Sequence, residues 1–293
     1  MNRATAVVVG VDGSPESLAA VDWAAGDAGR RGCRLRVVHA LQWPAGLYAP
    51  LGAPVPPLYE TTVREATQRI LDEAVARARA AAPGIEVATD LPVGHPAAAL
   101  LEESRQAVAV VVGSRGLGGF TGLLLGSVGA ELAGHAACPL VVVRHTVRPA
   151  GPEAGRVIVG IDGSHDARSA LRFAFEQASY RGCAVTAVHA YQWPPTTGPG
   201  EMLPLVYDPA QLRDEERLAV AESMSGWGEQ YPDVDVRQTV VRGRPAAVLT
   251  ELSAGAELLV VGSRGRGGFT GLLLGSVSQA AVHHAACPVV VAR

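Results

Sequence analysis

Apolar and polar positions along the chain alternate between two periods. Short runs at 6–11, 35–40, 86–91, 108–112 and 140–144 are rich in apolar, β-branched residues and have the length of strands; the all-apolar ones, such as Ala6-Val-Val-Val-Gly-Val11, are the kind that a parallel sheet buries on both faces. Between them lie longer stretches with helical spacing. At 60–82, Val63, Ile70, Leu71, Ala74, Val75 and Ala78 fall on one side and arginines on the other, which reads as a solvated face. Ser14-Pro-Glu-Ser17 starts a helix, with Ser14 as N-cap and Pro15 at the first helical position, and Gly32 ends it after Arg31. Gly94-His-Pro-Ala97 opens another helix through Glu103, and a further one is expected at 127–137. Strand and helix thus alternate with short connections, the pattern of βαβ units and a parallel sheet.

The second half writes the same order again. Val9-Gly-Val-Asp-Gly-Ser14 returns as Val159-Gly-Ile-Asp-Gly-Ser164, Val38-His-Ala40 as Val188-His-Ala190, and Gln42-Trp-Pro44 as Gln192-Trp-Pro194. Strands are expected near Val157, Val185 and Val236 and at 258–261 and 289–292, with helices from Ser164, at 209–230, from Pro245 and at 276–286. Two copies of this size make a pair of domains and not a solenoid. They are placed at 1–147 and 155–293, joined at 148–154 by a linker around Pro149-Ala-Gly-Pro152.

One phrase is nearly identical in the two copies: Gly113-Ser-Arg-Gly-Leu-Gly-Gly-Phe-Thr-Gly-Leu-Leu-Leu-Gly-Ser127 and Gly262-Ser-Arg-Gly-Arg-Gly-Gly-Phe-Thr-Gly-Leu-Leu-Leu-Gly-Ser276. Each follows a buried-strand pattern and precedes an Ala-rich helical one. Glycine at Gly113, Gly116 and Gly126 removes Cβ atoms that would block a ligand, and Gly126-Ser127 leads into a helix whose first N–H groups point outward. Such a junction suits an anion, a phosphate above all. Ser127 as a plain N-cap is the alternative.

Composition narrows the chemistry. The chain contains no lysine, so a Walker A loop and a Schiff-base lysine are excluded and phosphate must be met by arginine and backbone. A formal charge of −3 without a dominant arginine cluster argues against a general nucleic-acid binder. The four cysteines, Cys33, Cys138, Cys183 and Cys287, lack metal or redox spacing and read as reduced structural thiols. No signal peptide or membrane span is expected, which is consistent with a cytoplasmic protein. His95, His135 and the His283-His284 pair have no partner set with metal spacing, and His39 and His189 read as satisfied core imidazoles. The Pro-rich segment at 43–57, with a counterpart at 193–200, is either a lid beside the site or a plain linker.

The spacing Gly-x-x-Gly, nine residues, then Gly-Ser, closing a strand and opening a helix, resembles the ATP-binding signature of universal stress proteins, and the resemblance covers nearly the whole chain as two tandem domains. It implies an α/β fold in which each domain is a doubly wound five-stranded parallel sheet of order 3-2-1-4-5 with helices on both faces. In that order strands 1 and 4 are neighbours whose connections leave in opposite directions, which opens a crevice at their carboxyl ends. The resemblance also implies an adenine-nucleotide site. Gly10, Val11 and Asp12 would lie at the adenine and ribose, Ala40 over the base, Val112 and Gly113 along the ribose, and Arg115, Gly116, Gly126, Ser127 and Val128 around the phosphates. The second set is Gly160, Ile161, Asp162, Ala190, Val261, Gly262, Arg264, Gly265, Gly275, Ser276 and Val277. For Asp12 and Asp162, simple capping of the following helix is the alternative to a ligand role.

Implied with the site are ATP as ligand, with any Mg²⁺ held mainly by its phosphates, an unidentified regulatory protein partner, and pairing of domains through the strands at 140–144 and 289–292, within the chain or in a homodimer. The leading function is an ATP-binding regulatory protein of the stress response. A slow ATP hydrolase or phosphoryl-transfer enzyme, and a nucleotide-free structural dimer, are the other two. The pyrophosphate-forming ATP ligases, which share the sheet topology, would carry Ser-Gly-Gly-x-Asp-Ser after strand 1, where this chain has Asp-Gly-Ser.

Overall fold

Val- and Ala-rich runs that cannot satisfy their backbone in solvent pair side by side into sheets, and in this chain they do so twice. The computed structural model describes residues 6–42, 57–117, 125–144, 151–192, 208–266 and 273–293, with side chains at 57–60 and 209 left aside. The chain forms two compact units, Met1–His145 and Thr146–Arg293.

In the first unit the order is β1 (Ala6–Gly10), α1 (Pro15–Arg31), β2 (Arg34–Val38), α2 (Pro57–Ala81), β3 (Val87–Asp90), α3 (Pro96–Ser104), β4 (Ala107–Gly113), α4 (Ser127–His135) and β5 (Leu140–Val143). Its strands lie side by side as β3-β2-β1-β4-β5, all parallel, with Val8 opposite Arg36 of β2 and Val110 of β4. Helices α1 and α2 pack together on one face, and α3 and α4 pack together on the other. The core between the layers is small and branched, with Val7, Val9, Ala24, Ala109, Val111 and Leu132 fully buried.

The second unit repeats this with β6 (Arg156–Gly160), α5 (His165–Arg181), β7 (Ala184–Tyr191), α6 (Pro209–Met224), α7 (Trp227–Gln230), β8 (Val236–Arg242), α8 (Pro245–Leu252), β9 (Leu258–Gly262), α9 (Ser276–His284) and β10 (Val289–Ala292), strand order β8-β7-β6-β9-β10. Each unit is therefore the doubly wound α/β sheet of order 3-2-1-4-5.

Local chemistry sets the helix ends. Ser14 caps α1 through its hydroxyl, which accepts from the Ser17 N–H at 3.2 Å, and Pro15 occupies the first turn. Gly32 closes the helix at φ 63°, a conformation in which a Cβ is strained. Ser164 and Gly182 do the same for α5.

Three expectations change. The helix expected at 209–230 breaks after Met224: Gly226 sits at φ 81° and the chain restarts as α7, because Trp227 turns to stack on Phe175 of α5, centroids 5.3 Å apart at 14°. Arg77, assigned to a solvated face, reaches α1 instead and donates to both carboxylate oxygens of Asp22 at 2.7 and 2.6 Å. Strand β2 stops at Val38 rather than residue 40, whereas β7 runs on to Tyr191. The Pro-rich segments and the middle of both glycine-rich phrases lie outside the described residues, apart from the start of α2.

Candidate functional site

In each sheet β1 and β4, or β6 and β9, are neighbours, and their carboxyl ends open into a cavity. The first unit's cavity, about 680 Å³, is lined by Gly10, Val11, Asp12, Ala40, Val112, Gly113, Arg115, Gly116, Gly126, Ser127 and Val128, joined by Ser17, His39, Gln42, Ile70, Pro96, Leu100, Leu117 and Gly129. The second, about 440 Å³, is lined by Gly160, Ile161, Asp162, Ala190, Val261, Gly262, Arg264, Gly265, Gly275, Ser276 and Val277, joined by Ser164, Ala167, Pro245, Leu249, Arg266, Leu274 and Ser278. All the residues nominated from the sequence thus come together in these two places. Among the additional ones, Pro96, Leu100, Pro245 and Leu249 come from α3 and α8 and Ile70 from the face of α2, where apolar residues on a helix read simply as core.

The glycines have internal reasons. A Cβ on Gly113 would stand 2.7 Å from the backbone carbonyl carbon of Glu16, because the first turn of α1 crosses directly over the end of β4. On Gly10 it would meet Leu100 Cδ1 at 2.7 Å, and on Gly160 Leu249 Cδ1 at 2.8 Å. On Gly116 and Gly265 it would run into the carboxylates of Asp12 and Asp162. Close packing of the protein against itself is therefore enough to exclude a side chain at Gly113 and Gly116, a reason beyond the ligand space that the sequence suggests.

Asp12 joins both sides of the crevice. One carboxylate oxygen accepts from the Ser14 N–H at 3.0 Å and the other from the Leu117 N–H at 2.9 Å, so the end of β1 holds the loop that leaves β4. Asp162 repeats this with Ser164 at 3.0 Å and Arg266 at 2.9 Å. Helix capping and loop clasping are both present in one side chain. Burial pushes the Asp12 carboxyl up, but hydrogen bonds from Ser14, Leu117 and Ser17 outweigh it and hold the group below its ordinary 3.8.

The glycine-rich loop closes onto the next helix through a hydrogen bond from the Gly126 N–H to the Ser114 carbonyl at 2.8 Å, with 2.8 Å for Gly275 and Ser263. Gly126 and Gly275, not Ser127 and Ser276, are the N-caps, and neither helix has a side-chain cap. The N–H groups of Ser127, Val128 and Gly129 therefore begin α4 with no intrahelical acceptor, at the positive end of the helix dipole and on the cavity wall.

Arg115 lies beside the start of α4 and Arg264 beside that of α9, both half or more exposed and each with a loosely held acid: Arg115 Nε is 3.9 Å from Glu16 and Arg264 Nε 3.9 Å from Asp166. Asp166 is held more firmly, accepting from the Ser263 hydroxyl at 2.7 Å and the Arg264 N–H at 3.1 Å; burial raises its carboxyl, and these bonds bring it below 3.8. His39 and His189 each turn Nδ1 to the carbonyl oxygen of Val11 or Ile161, at 2.7 and 2.8 Å, and His189 Nε2 meets Glu216 at 2.8 Å. Among the described residues no group of three His, Cys, Asp or Glu could hold a metal ion.

An apolar slot between two strand ends, with a helix N-terminus and an arginine at its far side, is the shape of a site for a flat ring joined to an anionic tail. The chain matches the Universal stress protein family over residues 4–144 and again over 153–293. It is 41% identical over 293 residues to a universal stress protein of Mycobacterium tuberculosis (strain H37Rv), covering 98% of this chain and 96% of that one. A second universal stress protein of that organism is 40% identical over 308 residues, covering 98% and 94%. The crystal structure of a universal stress protein from Archaeoglobus fulgidus shares the fold, with a TM-score of 0.67, 23% identity and coverage of 99% of this chain and 97% of that one. With two family domains and full-length relatives of the same kind, the chain belongs to the universal stress protein family.

Proposed function

We propose that each unit binds an adenine nucleotide, ATP in the leading reading, and that occupancy regulates a stress-response process by biasing the protein's conformation or its contacts with a partner. The observation that carries this is the convergence, in both units, of the β1 and β4 ends, the glycine-rich loop and the unpaired helix N–H groups on one cavity. The base would lie in the apolar slot near Val11, Ala40 and Leu100, and the phosphates at Arg115 and the start of α4. Any Mg²⁺ would arrive on the phosphates, since both oxygens of Asp12 and of Asp162 already accept backbone N–H groups. The same engagement favours a binding module over a hydrolase, because the aspartates that a water-activating base would need are holding the loop. None of the four cysteines is in a disulfide, which supports a reducing, cytoplasmic setting, and no helix among the described residues is long and apolar enough to cross a membrane. Homodimer formation through β5 and β10 belongs to the same reading and is checked by light scattering.

The test is calorimetric titration of the nucleotide-stripped full chain with ATP, followed by chromatography of the incubated mixture. Saturable binding with an unchanged ATP-to-ADP ratio is expected. Binding with steady conversion to ADP would favour the hydrolase, and no binding would leave the structural dimer.

A further inference from the structure

The two cavities are not copies, and the difference has its centre beside the glycine that opens each first helix. Gly13 and Gly163 both take a left-handed turn, φ 85° and 75°. Over Gly13 lies Ile70 of α2, whose Cγ1 would stand 3.2 Å from a built Cβ; over Gly163 lies Arg266, with Nη2 at 2.5 Å. Counted back from the strand that follows, the residue matching Ile70 is Ala219 of α6, and the loop residue matching Arg266 is Leu117. The exchange is therefore concerted: a small Ala219 leaves a crevice, lined also by Gly163 and His189, into which the Arg266 side chain fits, whereas Ile70 fills that space and leaves Leu117 standing 71% exposed.

Arg266 lines the main cavity as well as this crevice, next to the helix N-terminus that begins at Ser276. Its side chain has no hydrogen bond or ion pair among the described residues, whereas Arg264 and Arg115 each face an acid. Asp12 matches Asp162, Glu16 matches Asp166 and Arg115 matches Arg264, whereas Arg266 and, behind His189, Glu216 stand where the first unit has Leu117 and Thr67; Glu216 is engaged by His189 at 2.8 Å, which leaves Arg266 as the added cation that faces the cavity. A guanidinium laid over Gly163, in a crevice of Ile161, Ala219 and Val220 that also holds Asp162, His189 and Ser223, and bordering the main cavity on its other side, is within reach of phosphate oxygens there.

Building on the nucleotide reading above, we infer that Arg266 makes the second unit selective for the longer phosphate tail, ATP over AMP, while the first unit, with Ile70 and Leu117 in its place, discriminates little between them.

The experiment is calorimetric titration of the full chain with ATP and with AMP, for the natural protein, R266L, and the reciprocal double variant I70A/L117R. The natural protein is expected to show two classes of site differing in their ATP-to-AMP affinity ratio by roughly tenfold, the scale of one charge-assisted contact. R266L should bring the two ratios together by weakening ATP and not AMP. I70A/L117R, which leaves the second unit untouched, should raise the first unit's ratio toward that of the second. Binding at both sites with ratios unmoved in both variants would overturn the assignment of Arg266 while leaving the nucleotide reading intact. No binding of either nucleotide to the natural protein would overturn both.

Discussion

The two units solve one packing problem with different volumes. Between the first helix and the second, the second unit stacks Phe175, Trp227 and Tyr231, with centroids 5.3 to 6.3 Å apart. The matching positions of the first unit are Ala25, Ala78 and Ala82, with Ala25 and Ala78 fully buried. Small residues let α1 and α2 approach closely and let α2 run unbroken to Ala81; large rings hold α5 and α6 apart, and the chain must break at Gly226 to deliver Trp227. The sheet order and the strand-end residues that frame the site correspond in both, although the cavities differ beside Gly13 and Gly163. Helix spacing on the outer face therefore varied while the strand ends and the first turns of α1, α3 and α4 kept framing a crevice, the change reaching it only where Ile70 of α2 gives way to Ala219 of α6.

The largest expected break in this comparison is Phe175→Ala, which removes a fully buried ring and two stacking partners. It should cost about 3–5 kcal/mol and act on the second unit alone, with Trp227 emission shifting while amide protection in α1 and α2 is unchanged in hydrogen exchange. The reverse exchange, Ala25→Phe, should destabilise the first unit by about 1–3 kcal/mol through overpacking.

Next comes the crossing of β4 by α1. Gly113→Ala places a Cβ 2.7 Å from backbone that cannot swing aside and should cost about 2 kcal/mol; Gly262→Ala meets Asp166 at 2.9 Å, so its cost should be smaller. Urea unfolding followed separately for each unit by hydrogen exchange would rank them.

Smaller still is the loop clasp. Asp12→Asn keeps one acceptor and loses the other, for about 1 kcal/mol. A carboxyl depressed below 3.8 contributes stability that is complete above that value and is lost as pH falls through the depressed one. Acid titration of the first unit should accordingly show a destabilising limb below about pH 4 that Asp12→Asn flattens, while the second unit keeps its own limb from Asp166. The smallest effect is Ser278→Ala, which removes a hydroxyl that donates to the Gly262 carbonyl at 2.5 Å, worth about 0.5–1.5 kcal/mol; Gly129 stands at that position in the first unit, so the change makes the second helix start resemble the first.

What could be read from the residues alone was whatever local chemistry dictates. The all-apolar strands, the Ser14-Pro15 start, the Gly32 stop and the repeated glycine phrase announce themselves in a few consecutive residues, and the strand order and the site residues came with the family resemblance. Features that depend on which elements meet were not legible. The break at Gly226 was hidden because Val220, Met224, Trp227 and Tyr231 continue a helical spacing through it. The reason for Gly113 depends on the path of α1, and Leu100 reads as core until its contact with Gly10 places it on the cavity floor. A signal did exist there: Leu100 and Leu249 occupy matching positions, as do the glycines they touch. Arg266 lay in plain view as a second loop charge, but its seat over Gly163 depends on Ala219, a residue of another element.

The central claim, that both crevices hold an adenine nucleotide, is tested most directly by purifying the full chain without added nucleotide, denaturing it, and identifying and counting what it releases by chromatography and mass spectrometry. The account predicts adenine nucleotide approaching two molecules per chain. A chain that releases none, and takes up none when ATP is then offered to the native protein, would contradict it.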